Sequence, residues 1–196
     1  MMPLAPTPGI AIGSAWMIWA ASWLIAAVWS RQTVASPGYG RQVPDRLVTA
    51  AGAVILFISM SRARTAFPHW SVGEAAGWAL FACVVAGMAF AWWARLHLGT
   101  LWSGTITRKA DHHIVDTGPY AIVRHPIYTG LLFSLFATAL ERGHVEPLFG
   151  ATLMAIGFWM KANLEEGFLS QELGEAGYAA YRARVPMLIP FAKGRA

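Results

Sequence analysis

Charge is scarce in this chain of 196 residues. Asp, Glu, Lys and Arg together make up 13% of it, against about 25% in soluble domains. With 56% hydrophobic residues, 10 Trp and 10 Phe and a mean hydropathy of +0.46, the composition excludes an ordinary soluble domain and places the chain in a bilayer. Cysteine is nearly absent. Cys83 stands alone inside an apolar run, which excludes an intrachain disulfide and leaves the redox compartment open. His97, His112, His113 and His125 have no Cys partner and no helical His-x-x-x-His spacing, so no metal is expected. A net charge of +5 raises nucleic acid as a partner, but no basic patch is interleaved with exposed aromatics, so none is expected. In a membrane protein, cytoplasmic loops rich in Lys and Arg are the commoner source of such charge. The chain also lacks low-complexity tracts and sequence repeats.

What is present is a series of apolar runs. The first, about Gly9 to Trp29, is long enough for a span, which takes about 20 residues. It has no basic leader and is followed by Arg31, so it reads as a retained helix and not a cleaved signal peptide. Gly9 and Gly13 form a GxxxG, a possible packing face. A shorter run, about Leu47 to Ser61, needs tilt or a locally thinned bilayer to cross. A third runs from about Gly73 to Trp93. A fourth, Ile127 to Leu140, and a fifth, Pro147 to about Phe158, are joined by the tight polar turn Glu141-Arg142-Gly143-His144 and must form an antiparallel hairpin. Leu164 to Ala183 reads as a separate, partly amphipathic helix, and Val185 to Phe191 as an extended tail. The expected fold is therefore all-α: one membrane domain over 1–196, an integral membrane bundle of about five transmembrane helices. Residues 1–94 supply three spans, and 95–196 supply a cofactor-binding loop, the hairpin and a cytoplasmic C-terminal helix and tail that act as a cover.

With five spans, twelve of the 15 Lys and Arg residues fall on one side, leaving Arg62, Arg64 and Arg142 on the other. The positive-inside rule then puts the N-terminus outside and the C-terminus in the cytoplasm. The Ala-rich, Lys-poor composition fits a bacterial inner membrane. On this topology His69 and His144 lie on the outer side and should be inert, while two charged clusters share the cytoplasmic side. Arg124-His125 precedes Pro126 at the start of the fourth run, and Glu165-Glu166 lies about forty residues later. Charge at a membrane boundary is costly unless paired, hydrated or used. The two clusters together mark a site for a polar, charged cofactor roofed by membrane. The alternative for Arg124-His125 is an interface anchor ahead of a helix-starting proline. Lys161 and Glu165 are spaced i, i+4 and share a helix face, either as an ordinary ion pair or as a charged pair facing a substrate. Glu166 points about 100° away from Glu165. Tyr120 and Tyr128 can pack on a ligand or sit in an interfacial belt, and Trp102 and Ser103 can line a pocket or anchor the chain.

Read in order, Leu98-Gly-x-x-Trp102-Ser, His112-His-Ile-Val115, Gly118-Pro-Tyr120, Arg124-His-Pro-x-Tyr128-x-Gly130, Glu165-Glu166, Gly174-x-x-x-Tyr178-x-x-Tyr181 and Val185-Pro…Ile-Pro-Phe191 resemble the isoprenylcysteine carboxyl methyltransferase family of integral membrane enzymes, over about residues 92–191. The resemblance implies an S-adenosylmethionine-dependent methyltransferase acting on a lipophilic or small acceptor. The carboxylate of an isoprenylcysteine-like compound is favoured, with phospholipid amines or thiols as alternatives. It implies that His112, Val115, Gly118, Tyr120, Arg124, His125, Tyr128, Glu165 and Glu166 bind the cofactor, that Lys161 and Glu165 act on the acceptor, and that Trp102 and Ser103 line its pocket. Family members often carry Arg where this chain has Lys161, which keeps the charge but not a bidentate fork. Membrane sterol reductases, which use NADPH, are distant relatives, and a non-catalytic scaffold or sensor with the same core is the rival from another class.

Overall fold

A computed structural model describes residues 7–30, 32–58, 68–109 and 113–192. Six helices make up most of it. The first, α1 (Pro8–Ala27), starts with proline at the first helical position, where a missing N–H costs nothing. α2 (Val43–Ile58) opens four residues before the apolar run begins, because Asp45 in its first turn favours a helix start. α3 (Glu74–Leu98) and α4 (Pro126–Glu141) follow the third and fourth apolar runs. α5 (Val145–Leu173) and α6 (Glu175–Arg184) complete the set.

Two expectations need correction. The fifth apolar run does not end its helix near Phe158, and no separate helix starts at Leu164: α5 continues unbroken for 29 residues to Leu173. No proline or glycine turn interrupts 159–173, and its buried side chains Ala162 and Glu166 pack inward. The break comes at Gly174, whose φ of 100° is one that residues with a Cβ rarely adopt. The fold is also not purely helical. β1 (Thr33–Ala35) pairs antiparallel with β2 (Arg108–Lys109) in a two-stranded ribbon, with Thr33 opposite Lys109 and Ala35 opposite Arg108. That ribbon, together with the buried Gln42, whose Oε1 accepts the Ile106 N–H at 2.9 Å, ties the first polar loop to the loop after α3.

α2 lies against α5 and α3 against α4, both pairs in close contact. A Cβ on Gly52 would lie 2.6 Å from the Gly150 carbonyl, and one on Gly130 would lie 2.5 Å from that of Gly87. Small residues that let backbones meet are the usual device where lipid removes the hydrophobic drive between helices. Ser134 Oγ donates to the Val84 carbonyl across the α3–α4 seam at 2.8 Å. α1 is held more loosely, by a Trp16 Nε1 hydrogen bond to Thr138 Oγ1 (2.9 Å) and by packing on Val84, Met88 and Ala137. In the GxxxG, Gly9 meets the Glu141 carboxylate but Gly13 meets nothing, so the two glycines do not form a joint packing face.

α1 and the stretch Glu74–Leu101 are long and apolar enough to cross a bilayer, and α4 is apolar but shorter. α1 leaves Met17, Ile18, Leu24 and Ile25 each more than 70% exposed. This outward apolar surface suits lipid better than water. The helices alternate in direction. The ends of α1 and α3 and the start of α4 therefore gather at one end of the molecule, and His69 and His144 meet at the other.

Candidate active site

The Arg124-His125-Pro126 turn is shaped by the C-terminal tail. Arg124 N–H donates to the Pro186 carbonyl (2.8 Å) and His125 N–H to that of Met187 (3.1 Å). Thr129 Oγ1 donates to the Leu188 carbonyl at 2.7 Å. The tail is thus stitched to the start of α4, and α6 is pinned beside it by a hydrogen bond from the Tyr181 hydroxyl to the Tyr120 carbonyl (2.8 Å). Burial pushes the Tyr181 phenol upward, so it stays protonated and keeps donating. Burial, reinforced by the nearby Glu165, likewise pushes the Tyr120 phenol up.

Behind this turn is a buried ionic cluster. Arg124 Nε meets Glu166 Oε1 at 2.7 Å and its Nη2 meets Oε2 at 3.1 Å, while Nη1 reaches the Arg182 and Val185 carbonyls. The Arg124 and Glu166 side chains are only 3% and 4% exposed. Arg182 adds a contact to Glu166 at 3.5 Å. Burial alone would raise the Glu166 carboxyl, but hydrogen bonds from His125 and Arg124 outweigh it and hold the group below the usual carboxylate range. An ionised Glu166 can only accept, so His125 Nε2, 3.0 Å away, is the ring nitrogen that carries hydrogen. His125 Nδ1 then faces Glu165 at 3.9 Å.

Glu165 points the other way along α5, at 30% exposure, and accepts from the Tyr128 hydroxyl at 3.0 Å. The rings of His125, Tyr128 and Phe158 stack in sequence at 5.3 Å and 5.2 Å. Lys161 does not pair with Glu165. Its Nζ crosses to the Gly104 carbonyl (3.1 Å) and lies 5.5 Å from the Tyr128 ring centre.

These groups surround a cavity of about 270 Å³. Of the residues expected at a site, Trp102, Ser103, Val115, Tyr120, Arg124, His125, Tyr128, Lys161 and Glu165 all line it. Glu166 does not: it lies one layer back, fixing Arg124 and His125. Gly118 is also off the wall. Its φ is 57°, and the His97 ring fills the place a Cβ would take. His112 lies outside the described residues. The sequence reading passed over Trp23, Leu131, Phe158 and Leu169 as lining residues, as well as Ile114. Trp23 comes from α1, where the only signal was a Trp-rich apolar helix. Among the described residues no cluster of His, Cys, Asp or Glu could hold a metal ion.

The cavity lining is of two kinds. Trp23, Leu98, Trp102, Ile127 and Leu131 belong to one apolar cluster, and Arg124, His125, Glu165 and Lys161 bring charge. A mostly apolar pocket with a few converging polar groups is the usual form of a small-molecule site. The bundle with this cavity under its C-terminal cover has the fold of a solved structure, the eukaryotic intramembrane Ras methyltransferase ICMT. That structure superposes with a TM-score of 0.59 at 20% identity, over 98% of this chain and 71% of the other.

Residues 79–171 match the model of the isoprenylcysteine carboxyl methyltransferase (ICMT) family, so the family recognised in the motifs is borne out over the stretch that carries most of them. The chain is 34% identical over 84 residues to a protein-S-isoprenylcysteine O-methyltransferase of Schizosaccharomyces pombe, 42% of this chain and 35% of that protein. It is 43% identical over 82 residues to methanethiol S-methyltransferase 2 of Bradyrhizobium diazoefficiens, 39% of this chain and 29% of the other. The alignments span less than half the length of these curated relatives.

Proposed function

We propose that this chain is an integral membrane methyltransferase that uses S-adenosylmethionine. The observation that carries the reading is the convergence on one cavity of Trp102-Ser103, Val115, Tyr120, Arg124-His125, Tyr128 and Lys161-Glu165, drawn from separate segments between residues 102 and 165. The chemistry of the donor set fits the cofactor. Glu165 retains acceptor capacity for ribose hydroxyls or an ammonium, the His125 Nδ1 lone pair adds a second acceptor, Arg124 brings positive charge to the wall for a carboxylate, and Phe158 is an aromatic ring on which a purine can pack. Glu166 acts through Arg124 and His125, which it holds in place. Bound there, S-adenosylmethionine supplies an electrophilic methyl group.

The protein's share of the work is positioning and exclusion of water. The apolar lining takes the lipophilic or small body of an acceptor. Lys161, hydrogen-bonded to Gly104 across the cavity, orients an anionic acceptor group. A carboxylate acceptor needs no base, whereas a thiol or amine that must lose a proton gives it to Glu165. The positive lysine at the rim supports the carboxylate of an isoprenylcysteine-like compound as the preferred acceptor. The proposed topology has a single membrane domain in a bacterial inner membrane, with the N-terminus outside and the site facing the cytoplasm. Charge distribution supports it, because the cavity end carries Arg41, Arg46, Arg108, Arg124, Arg182 and Arg184.

The test is transfer of a labelled methyl group from S-adenosylmethionine to S-farnesylated N-acetylcysteine and, separately, to methanethiol, by protein in detergent or nanodiscs. Labelled ester in the first reaction is the expected result. Labelled thioether only in the second would move the acceptor to small thiols. No label in either would overturn the reading.

A further inference from the structure

Arg95 has no part in the motifs, lies at the end of α3 and is completely buried. A buried guanidinium is expensive unless it is paired, and Arg95 pairs through both terminal nitrogens, while its Nε is buried without a hydrogen bond among the described residues. Its partners come from two helix ends. Nη1 donates to the Gly99 carbonyl (2.7 Å), just past its own helix, and Nη2 to the Ala26 and Trp29 carbonyls at the end of α1 (2.8 and 3.0 Å). Turn N–H groups of Trp29 and Trp102 also reach the Ala26 and Gly99 carbonyls, so the cation adds charge-assisted bonds at the two helix ends, where it sits at the favourable pole of both dipoles. The same guanidinium lies 4.4 Å from the ring centre of Trp102.

Trp102 is held from three more directions. Ser30 Oγ, just beyond α1, donates to its carbonyl at 2.7 Å. Trp23 of α1 meets its ring edge-on at 5.6 Å. The tip of its indole is 3.7 Å from where a Cβ on Gly104 would sit, and the Gly104 carbonyl is the one that accepts from Lys161. Trp23 and Trp102 both belong to the apolar lining of the cavity. Trp23 also meets Trp92 of α3 edge-on at 5.3 Å, but among the described residues the polar ties at the end of α1 to the end of α3 are those of Arg95 and Ser30.

We propose that Arg95 is a positioning residue for the acceptor. By binding the end of α1 and the face of Trp102 at once, it sets the Trp23–Trp102 pair and, through Gly104, the placement of Lys161. The inference rests on the methyltransferase reading. It predicts that α1 determines which acceptors are used while the cofactor end, built by α4, α5 and the tail, is unaffected.

The experiment compares wild type with Arg95→Lys, which keeps the charge but cannot span three carbonyls and cover an indole, and with Trp102→Phe. Three quantities are read: KM for S-farnesylated N-acetylcysteine, affinity for S-adenosylhomocysteine, and the 19F spectrum of protein labelled with 5-fluorotryptophan. The Trp23 and Trp102 resonances are assigned by Trp→Phe substitution. The expected result for Arg95→Lys is an acceptor KM raised by about tenfold or more, in the range one misplaced pocket contact gives. Affinity for S-adenosylhomocysteine stays within twofold, and both 19F resonances shift or broaden. Trp102→Phe should raise the same KM without changing that affinity. An Arg95→Lys protein with unchanged KM and unchanged resonances overturns the proposal. So does one that loses acceptor and cofactor binding in equal measure, which would make Arg95 a general structural residue. If wild type transfers no methyl group at all, the methyltransferase reading has failed. The 19F spectra then still decide whether Arg95 sets the two tryptophans, since unmoved resonances reject that role.

Discussion

The hairpin of α4 and α5 carries charge at both of its ends, and the two ends are built differently. At one, Arg124, His125 and Glu166 are hydrogen-bonded to one another and to the C-terminal tail, and Glu165 to Tyr128. At the other, His69 and His144 lie 5.7 Å apart as tilted rings, and His144 Nδ1 and Glu146 Oε2 are buried without a hydrogen bond among the described residues. Glu141 there rests against Gly9 at the start of α1, where a carboxylate suits the helix dipole. Both ends have acids, histidines and an arginine, at the second within Glu141 to Glu146 and at the first from two stretches about forty residues apart. Both recruit distant segments, since at the second Trp70 N–H donates to the Gly143 carbonyl at 2.8 Å and Glu141 and Arg142 border a cavity with Pro8 and Trp70; at the first, however, guanidinium, imidazole and carboxylate groups bond to one another beside the cavity. Neither local charge at a helix end nor convergence of remote segments is therefore enough for a site, and charged groups that bond one another on a cavity wall are stronger grounds.

Substitutions at the two ends sharpen the contrast. The largest effect should come from Glu166→Ala, which strands Arg124 and His125 in a buried site. Removing one partner of a buried ion pair costs about 3–5 kcal/mol, read as a large fall in thermal midpoint in detergent with loss of S-adenosylhomocysteine binding. Overfilling the α3–α4 seam with Gly130→Leu should cost about 1–3 kcal/mol and lower the midpoint without selectively affecting either ligand. Glu165→Gln is a near-isosteric change on a cavity wall, so stability should stay within about 0.5 kcal/mol while turnover of a thiol acceptor falls by about a hundredfold. At the far end, His144→Ala should cost less than about 1 kcal/mol and leave turnover within twofold. If His144→Ala instead matched Glu165→Gln, the distinction between the ends would collapse.

Acid gives a further test. The Glu166 carboxyl is held below its ordinary value of 4.5 in the folded protein. A depressed carboxyl contributes stability that is fully present above that ordinary value and is lost as pH falls through the folded one. The thermal midpoint should therefore drop as the pH goes below about 4.5, and Glu166→Gln should flatten that dependence. An equally steep acid loss in Glu166→Gln would place the sensitive group elsewhere.

Much of this was legible from residue order. The long apolar helices α1 and α3 follow from hydropathy, and the Arg-His-Pro turn before α4 follows from proline at a helix start. The 100° between Glu165 and Glu166 already required them to face different partners, but nothing local could say which one is buried. That assignment depends on the tail returning over the start of α4, a contact sixty residues away in sequence. The continuity of α5 was missed because its second half loses the apolar signal while keeping helical preference until Gly174. Arg95 was invisible for a related reason. It read as one more positive charge at a span end, because its partners are backbone carbonyls of Ala26 and Trp29, which no side-chain pattern announces. Lys161 and Glu165 show the opposite failure. Their spacing allows a pair, and the cavity between α5 and Gly104 drew Lys161 away from it.

The most direct test of the central claim is calorimetric titration of the detergent-purified protein with S-adenosylhomocysteine and, in a separate experiment, with NADPH. The account predicts saturable binding of the first, abolished by Glu165→Ala, and no heat from the second. Binding of NADPH with none of S-adenosylhomocysteine would contradict it and make the cavity that of a reductase, and silence with both would leave a scaffold.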